Sequence, residues 1–414
     1  MSTVDTVEES GGRQAGIVQG VTIVLTGFLP ILAIVSLTVA VPSIMGHFDD
    51  IENVGLLAPV LVSAPGLTIA IFAPIMGLFV DRLGRRPLLI FGALLYGFAG
   101  IAPFFLDNIY HIIISRLILG VAEAAILTIM NTLIADYWDE TGRRRWLMFQ
   151  GIAGPALAAA VIAASGFLTE FRWNGTFLVY SVAFLLFIAI YLFLFEPSRQ
   201  QAVHNKTEAQ DDKPRYHLMA VVFIVTLLLS SLYYVWIIQG GRAFGEVGVS
   251  DPSNLGMLFS IVSFCVPAGA VIFGFLSSRL VAPLQLLISF SMLGAGLFMI
   301  GLFDNPYLMV AGLMVQQTAA GMSVPTLILW AQSLFPYKVR GRAMGVWSSA
   351  FFLGQFGSPF LVNEAVGILG SVKGAFVAAG VAGCIIAAAI AVIHLLIKAE
   401  DRRLIAKAGS QDLT

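Results

Sequence analysis

Apolar runs of about 20 residues alternate with short polar breaks along nearly the whole chain, and a run of that length crosses the hydrocarbon core of a membrane as one α-helix. The pattern predicts twelve such helices, at residues 20–42, 54–80, 87–106, 109–135, 146–169, 173–195, 217–240, 254–280, 283–303, 306–333, 343–367 and 371–397. The longest polar interruption separates them into two groups of six. The predicted parts of this all-α integral membrane protein are an N-terminal tail at 1–19, a bundle at 20–195, a linker at 196–216, a second bundle at 217–397 and a C-terminal tail at 398–414.

Composition supports this interpretation. The chain of 414 residues is 58% hydrophobic and 11% charged, and its mean hydropathy is +0.90. Soluble domains carry about 25% charged residues, so the chain belongs in a membrane. Residues 1–20 are polar and contain no apolar run, so we expect no cleavable signal peptide.

Charge divides the predicted loops into two sides, and 19 of the 23 Lys and Arg residues fall on one of them. We call this side the basic face. The opposite side, the acidic face, collects Asp49, Asp50, Glu52, Asp107 and Asp304. Because cytoplasmic loops carry the excess of Lys and Arg, we expect both termini in the cytoplasm, with the protein in a bacterial inner membrane.

The loop between the second and third helices has a distinctive pattern of glycine, acid and arginine. A glycine lets two helices approach closely, an acid sits at a helix end, and arginines hold the loop at the basic face. A basic loop of any polytopic protein is the alternative interpretation. The residues predicted to form a cytoplasmic gate are Gly77, Asp81, Arg82, Gly84, Arg85 and Arg86.

The two groups of helices echo each other. Gly77 to Leu83 has a degenerate counterpart 197 positions later, at Gly274 to Leu280. A second pair, starting at Ala135 and Ala331, is 196 positions apart. Two pairs at nearly one offset predict an internal duplication.

The loop pattern G-x-x-x-D-R-x-G-R-R resembles the signature loop of the major facilitator superfamily of secondary transporters. That resemblance implies two pseudo-symmetric six-helix bundles, a substrate site near the membrane midplane between them, and transport by alternating access. It also implies that the loop locks the inner side of the protein when the transporter opens outward, and that the functional unit is a monomer.

Two charges are predicted inside the membrane, Arg116 and Glu123 on the fourth helix. Seven residues is close to two helical turns, which places them on one face about 10 Å apart. Ionisable groups in the hydrocarbon region are costly and usually functional, so we expect both to meet the central cavity, with Glu123 carrying a proton and Arg116 modulating it. The alternative is a buried network that holds the fourth helix to a neighbour.

The spacing R-x-x-x-G-x-x-E resembles the fourth-helix pattern of the anion:cation symporters and the spinster-like lipid transporters. That resemblance implies proton coupling at Glu123, tuned by Arg116. Many such symporters carry an Asp-Arg pair on the first helix, where this chain has Ala33 and Ile34. The cation that would clamp a carboxylate substrate is therefore missing from the first helix.

The fifth helix points to a different family. Its run from Gly151 through Gly154 and Pro155 resembles the antiporter pattern of drug–proton exchangers, although alanines stand where the last glycines would be. We expect these three residues to form a hinge, since proline kinks a helix and small residues let it rock against its neighbour. Packing alone is the alternative.

The cavity is expected to be largely apolar, because the chain has 31 phenylalanines. Its predicted polar and aromatic lining is Asn131, Tyr233, Tyr234, Trp236, Gln239, Gln316, Gln317 and Gln355. These amides could equally bond neighbouring helices, and the aromatics could belong to the membrane interface. This set of side chains favours a neutral, aromatic or amphipathic organic solute.

The sequence thus predicts a proton-coupled secondary transporter of a small organic solute, with the proton as the coupling ion and no other cofactor. We expect a symporter; the alternatives are a drug–proton antiporter and a non-transporting receptor on the same fold. The histidines are scattered, and no catalytic constellation or metal-ligand spacing is present. We therefore expect no enzyme, no catalytic or metal-binding residue, and no partner beyond the solute and the lipid bilayer, with nucleic acid excluded.

Overall fold

The first half of the chain forms six helical spans in the computed structural model, which describes residues 15–197, 216–335 and 337–411. Their bounds are α1 in three pieces at Ile17–Gly27, Leu29–Val35 and Val41–His47; α2 at Val54–Leu83; α3 at Arg85–Ile101; α4 at Ile109–Tyr137; α5 at Glu140–Phe171; and α6 in two pieces, a 3-10 segment at Gly175–Ser181 and an α-helix at Val182–Phe193.

The second half repeats this arrangement. Its spans are α7 at Tyr216–Gly245; α8 in two pieces at Pro252–Ser263 and Cys265–Ser277; α9 at Ala282–Leu302; α10 at Pro306–Ser333; α11 at Tyr337–Leu369; and α12 at Val372–Gln411. The predicted all-α architecture of two six-helix bundles is confirmed. Most of the predicted linker and the outer parts of both tails lie outside the described residues.

Ten of these spans are both long and apolar enough to cross a membrane. The other two, α10 and α11, are long enough but less apolar, and α10 carries Gln316 and Gln317 at its centre. Several helices continue beyond the predicted apolar runs: α5 starts at Glu140 rather than at 146, and α12 continues past 397 to Gln411. A helix satisfies its own backbone hydrogen bonds, so it continues into the polar interface beyond the hydrocarbon core.

Short polar residues start the helices by capping their free N–H groups. The side chain of Asn108 accepts from the backbone N–H of Tyr110 at 2.9 Å, at the start of α4. Asp139 does the same for α5. Asp251 caps α8 and Asn305 caps α10, and each is followed by a proline, which fits the first helical position because it lacks an N–H. These four caps fix where the spans enter the membrane.

The first span is broken near the acidic face. Between Val35 and Val41 the backbone changes to turns, in which Leu37 donates to Ile34 at 3.3 Å and Thr38 donates to Val35 at 3.3 Å. Each donor reaches three residues back instead of four, so the carbonyl of Ala33 loses its usual helical donor. This loosened segment lies beside the contact between the two halves.

The bundles hold together where small residues let backbones approach, as is usual between membrane helices. Gly120 on α4 lies against Pro65 and Thr68 of α2. In the second half, Gly269 on α8 lies against the backbone of α10 at Thr318. A side chain at either glycine would overlap its neighbours.

The two halves meet from the acidic face to the middle of the membrane. Gly166 on α5 crosses α8, and a Cβ added there would lie 2.5 Å from the carbonyl oxygen of Pro252. Deeper in the membrane, Ser260 donates to the Ala159 carbonyl at 3.0 Å, and Ser349 donates to the Ala70 carbonyl at 3.1 Å. The structure is therefore closed at the acidic face.

The crossing at Gly269 predicts the effect of adding one methyl group. Gly269→Ala should force α8 and α10 apart, which costs about 1–3 kcal/mol in a packed core. The matched control is Gly274→Ala on the same helix, where an added Cβ meets nothing within 4 Å and helix propensity favours alanine. We expect the thermal unfolding midpoint in detergent to fall for the first variant only. Equal midpoints for the two variants would contradict the packing argument.

Candidate functional site

A cavity of about 340 Å³ lies between the two halves near the membrane midplane. Helices α1, α2 and α4 form one wall, and α7, α10 and α11 form the other. Its lining is mostly apolar. The lining residues are Pro30, Ile31, Ala33, Ile34, Val35, Val62, Pro65, Glu123, Leu127, Tyr233, Tyr234, Ile237, Val324, Phe351, Phe352 and Gln355.

Glu123 is the one ionisable acid in that lining. Its side chain is 2% exposed, and its Oε1 atom makes no hydrogen bond to a described residue. The position follows from the α2–α4 crossing: Gly120, three residues before Glu123, lets α4 lie against Pro65, which itself lines the cavity. The structure therefore places Glu123 in the cavity wall, and its role in proton coupling stays a prediction.

Arg116 does not reach the cavity, contrary to our expectation. It is fully buried inside the N-terminal half, with its guanidinium carbon 4.6 Å from the ring centre of Tyr180 and 5.4 Å from that of Phe177. Its Nη2 atom donates weakly to the carbonyls of Ala99 at 3.4 Å and Gly100 at 3.5 Å. The aromatic faces and carbonyls of α3 and α6 attract this cation away from the lumen, which is otherwise apolar.

An aromatic cluster forms the wall opposite Glu123. The rings of Tyr233 and Tyr234 on α7 are 4.9 Å apart, and the ring of Phe351 on α11 lies 5.8 Å and 5.5 Å from them. The hydroxyl of Ser230 donates to the Phe351 carbonyl and fixes α11 against α7. Gln355, one turn further along α11, also lines the cavity.

Four of the predicted cavity residues lie elsewhere. Trp236 is buried against Phe244 and Phe259 inside the C-terminal half. The side chains of Gln239 and Gln316 bond within that half, Gln239 to Arg242 at 2.9 Å and Gln316 to the Tyr233 carbonyl at 3.4 Å.

The fourth, Gln317, is half-buried on α10 and is not part of the lining. The helical period puts a residue on one face in only about two of every seven positions, so a run of polar residues does not say which of them face the lumen.

The acidic face is closed by a residue that the sequence did not single out for this role. Arg242, at the end of α7, donates to the carbonyl of Gly55 at the start of α2 at 2.9 Å. The neighbouring Gly241 packs against α1, where an added Cβ would lie 3.1 Å from Pro42 and from the Thr38 carbonyl. Together these contacts join α7 of one half to α1 and α2 of the other.

At the basic face, the loop between α2 and α3 is held by α4 and α6. Gly84 has a φ of +86°, a conformation that favours glycine. Arg85 forms an ion pair with Asp136 at the end of α4, with 2.5 Å between Nε and Oδ2. Arg86 donates to the Tyr191 carbonyl on α6 at 2.7 Å, whereas Arg82 is exposed.

Glu196 completes this cluster. Its two carboxylate oxygens accept the backbone N–H groups of Arg85 and Arg86 at 2.8 Å each, which caps the N-terminus of α3. We had assigned Glu196 to the linker. No local sequence pattern connects a residue after α6 to the start of α3, so this contact required the fold.

Some predicted site residues fall partly outside the description. The side chains of Asp81 and Asn131 and the surroundings of Gly77 and Gly151 lie outside the described residues. Their roles in the gate, cavity and hinge stay predictions. Of the predicted hinge, Gly154 borders a small space next to Gly27 of α1, and Pro155 is half-buried within α5.

Phe351 and Phe352 were missed as cavity residues, although a signal was available. Phe351 precedes Gln355 by four residues, so the two share a face of α11. The aromatic partners of Arg116 gave no such signal, because Phe177 and Tyr180 belong to a different helix.

Comparison with known proteins finds a matching family, related sequences and similar solved structures. A sequence model described as Major Facilitator Superfamily matches residues 23–248 and 218–412. The chain is 24% identical over 349 residues to the tetracycline resistance protein, class E, of Escherichia coli, covering 78% of this chain and 81% of that protein. It is 28% identical over 346 residues to the class G protein of Vibrio anguillarum, covering 77% and 82%. A crystal structure of the nucleoside transporter NupG superposes with a TM-score of 0.72 at 14% identity, over 91% of this chain and 98% of that one.

The Arg85–Asp136 pair predicts an asymmetric response to neutralisation. Burial raises the pKa of Asp136, Arg85 lowers it, and Glu196 raises it again, with a net rise. Burying the charge of Asp136 therefore costs more free energy than its ion pair with Arg85 contributes. Asp136→Asn removes that charge, so it should leave the free energy of unfolding at pH 7 unchanged or raised. Arg85→Gln leaves the acid without its counter-charge, and we expect a loss of about 1–3 kcal/mol.

The same pair predicts a pH dependence. Since the pKa of Asp136 is higher in the folded state, the folded state binds the proton more readily, and the stability due to this group falls as pH rises through the raised pKa. Thermal unfolding in detergent, recorded from pH 3.8, the ordinary pKa of an aspartate, up to pH 8, should show this fall in the wild type and less of it in Asp136→Asn. A greater loss of stability for Asp136→Asn than for Arg85→Gln would show that the pair is net stabilising.

Proposed function

We propose, because the chain belongs to the major facilitator superfamily, that this transporter exchanges protons for an organic solute with a basic nitrogen and carries the solute out of the cell. Membership follows from the family match, which extends from residue 23 to residue 412. As a member of that family, the chain is an integral membrane transporter of small molecules. The coupling ion, the direction and the class of solute are the content of the proposal.

The observation that carries the proposal is the isolation of Glu123. It is buried in the wall of an apolar cavity, without a cation among the described residues that line the same cavity. A carboxylate in such a place must be neutralised, either by a proton or by a cationic group of the solute. Because one carboxylate cannot satisfy both at once, the proton and the solute exclude each other, which is the requirement for antiport.

The opposite wall supports the class of solute. The rings of Tyr233, Tyr234 and Phe351 line the lumen, and aromatic rings attract cations as well as flat apolar groups. A basic nitrogen near Glu123 and an aromatic body against these rings would use both walls. The relatives named for tetracycline resistance also support an amphipathic organic solute.

Symport remains the second candidate, favoured by the fourth-helix pattern that contains Arg116 and Glu123. A symported organic anion needs a cation in its site. Arg116 is turned away from the lumen, and the first helix contributes Ala33 and Ile34 to the lining. These positions support antiport over symport.

The positive-inside rule places the basic face in the cytoplasm. The contacts at Arg242, Gly241 and Gly166 then close the outer side. With that side closed, the proposed route of protons and solute to Glu123 is from the cytoplasm. We further propose a bacterial inner membrane as the location and a monomer as the working unit.

The test compares wild type with Glu123→Gln in proteoliposomes that contain a lumenal pH dye. With no imposed proton gradient, tetracycline and a panel of aromatic amines, organic acids and lipids are added to the outside in turn. We expect a solute-dependent outward proton movement for an amine, reduced in the variant by about 5–150-fold, the usual range of a coupling free energy. Glu170→Gln, at the exposed end of α5, is the matched control.

The outcomes separate the candidates. Proton movement in the same direction as an organic acid would support symport and overturn the proposed antiport. Solute movement that is equal in wild type and Glu123→Gln would remove Glu123 from the coupling step. A loss in Glu170→Gln as large as that in Glu123→Gln would indicate a general effect of neutralising an acid.

A further inference from the structure

Arg116 lies against the ring of Tyr180, in a buried cluster that takes no part in the proposed exchange. The guanidinium carbon is 4.6 Å from the ring centre. Its Nε and Nη1 atoms have no hydrogen-bond partner among the described residues, and the contacts of Nη2 with the Ala99 and Gly100 carbonyls are long. The cation is thus held mainly by aromatic faces rather than by fixed hydrogen bonds.

The hydroxyl of Tyr180 reaches in the other direction, to the cavity wall. It donates to the carbonyl of Ala33 at 2.7 Å and accepts from Ser36 at 3.2 Å. The Ala33 carbonyl is free for this bond because Leu37 donates to Ile34 instead. Ala33 itself lines the cavity. One buried side chain therefore touches both the cation of α4 and the loosened segment of α1.

A second tie between α6 and α1 has no contact with the cation. Thr176 donates to the carbonyl of Ser36 at 2.8 Å, one turn before Tyr180 on the same 3-10 segment. It anchors the same stretch of α1. Replacing Thr176 therefore removes a contact between α6 and α1 and leaves the contacts of Tyr180 with Arg116 and Ala33 in place.

The groups that surround Glu123 are few. Its own helix contributes Arg116, and the helices packed around it contribute the hydroxyls of Tyr96 on α3, Tyr180 on α6 and Tyr234 on α7. Tyr233 is the other titratable residue in the cavity lining. The lining residues from α1, α2, α10 and α11 carry no titratable group.

We propose that Tyr180 is a positioning residue that links the protonation state of Glu123 to the position of α1 in the cavity wall. This inference rests on the proposed proton exchange. When Glu123 gives up its proton, the negative charge attracts Arg116, two turns away on the same helix, off the ring of Tyr180. When Glu123 is protonated, Arg116 returns to the ring. When Arg116 moves, the ring of Tyr180 moves with it, and so does the hydroxyl that bonds the Ala33 carbonyl. The loosened part of α1 then shifts as well. This part of α1 contacts Gly241, and that contact helps to close the acidic face.

The proposal requires two arrangements with different contacts, since a charge shifts a conformational equilibrium only through an interaction that differs between its states. The ring contact and the hydroxyl bond provide that difference. The hydroxyl can be removed without the ring, so the two parts of the link can be separated experimentally.

The test measures opening at the acidic face without any solute. Spin labels are placed at Gly46→Cys on α1 and Ser250→Cys before α8, both exposed at the acidic face, after Cys265 and Cys384 are replaced by serine. Distances between the labels are recorded in proteoliposomes from pH 5 to pH 9. We expect the distribution to change with pH in this background and to lose that change in Glu123→Gln.

Tyr180→Phe keeps the ring beneath Arg116 and removes the hydroxyl. We expect the midpoint of the pH response to shift by about one unit or the response to flatten, as for a coupling of 1–3 kcal/mol. Thr176→Val removes the neighbouring tie and should lower thermal stability while leaving the midpoint in place. If Tyr180→Phe does not fold, Ser36→Ala removes a partner of the same hydroxyl and should shift the midpoint in the same direction.

The outcomes distinguish this inference from the proposed function. A pH response that depends on Glu123 and is equal in the background and Tyr180→Phe overturns the role of Tyr180 and leaves proton exchange intact. Equal shifts in Tyr180→Phe and Thr176→Val show that helix contact alone matters, which also overturns it. A background that does not respond to pH overturns the link, whereas the proton exchange is decided separately by the proton movements in the dye-loaded proteoliposomes.

Discussion

No water is present in the hydrocarbon core, so every polar group there must find its partner within the protein. The arrangement of the first half follows from this constraint. Where α1 loosens, the carbonyls of Ala33 and Ser36 are taken by the hydroxyls of Tyr180 and Thr176. The break in the helix is tolerated because α6 supplies those donors. The break of α1 in the cavity wall and the hydrogen bonds from α6 are therefore two results of one requirement.

The same constraint separates polar residues that hold the structure from those that are free to act. Gln239 and Gln316 bond to neighbours within their own half. Arg116 is surrounded by aromatic faces and carbonyls. Glu123 combines burial, a charge and a place on the cavity wall. An isolated carboxylate facing a lumen is costly unless its neutralisation is part of the working cycle, and that cost is the physical basis of the proposed exchange.

Sequence periodicity was sufficient for the fold and for part of the site. Apolar runs gave the helices, because length and hydropathy alone decide what spans a membrane. Glu123 could be placed because a buried acid has few positions it can occupy. The orientation of Arg116 could not be predicted, since it depends on Phe177 and Tyr180, which approach it only after the 3-10 segment of α6 packs against α3. Glu196 was missed for the same reason: its carboxylate caps a helix that begins 111 residues earlier.

The contacts of Glu196 have a mechanical consequence for the connection between the halves. Glu196 is clamped to the start of α3, and the adjoining Phe195 N–H donates to the hydroxyl of Tyr137 on α4 at 3.0 Å. The end of the first half is therefore held by α3 and α4 as well as by α6. A movement of α6 alone would break these bonds, so the point at which the chain leaves the first half moves together with α3 and α4.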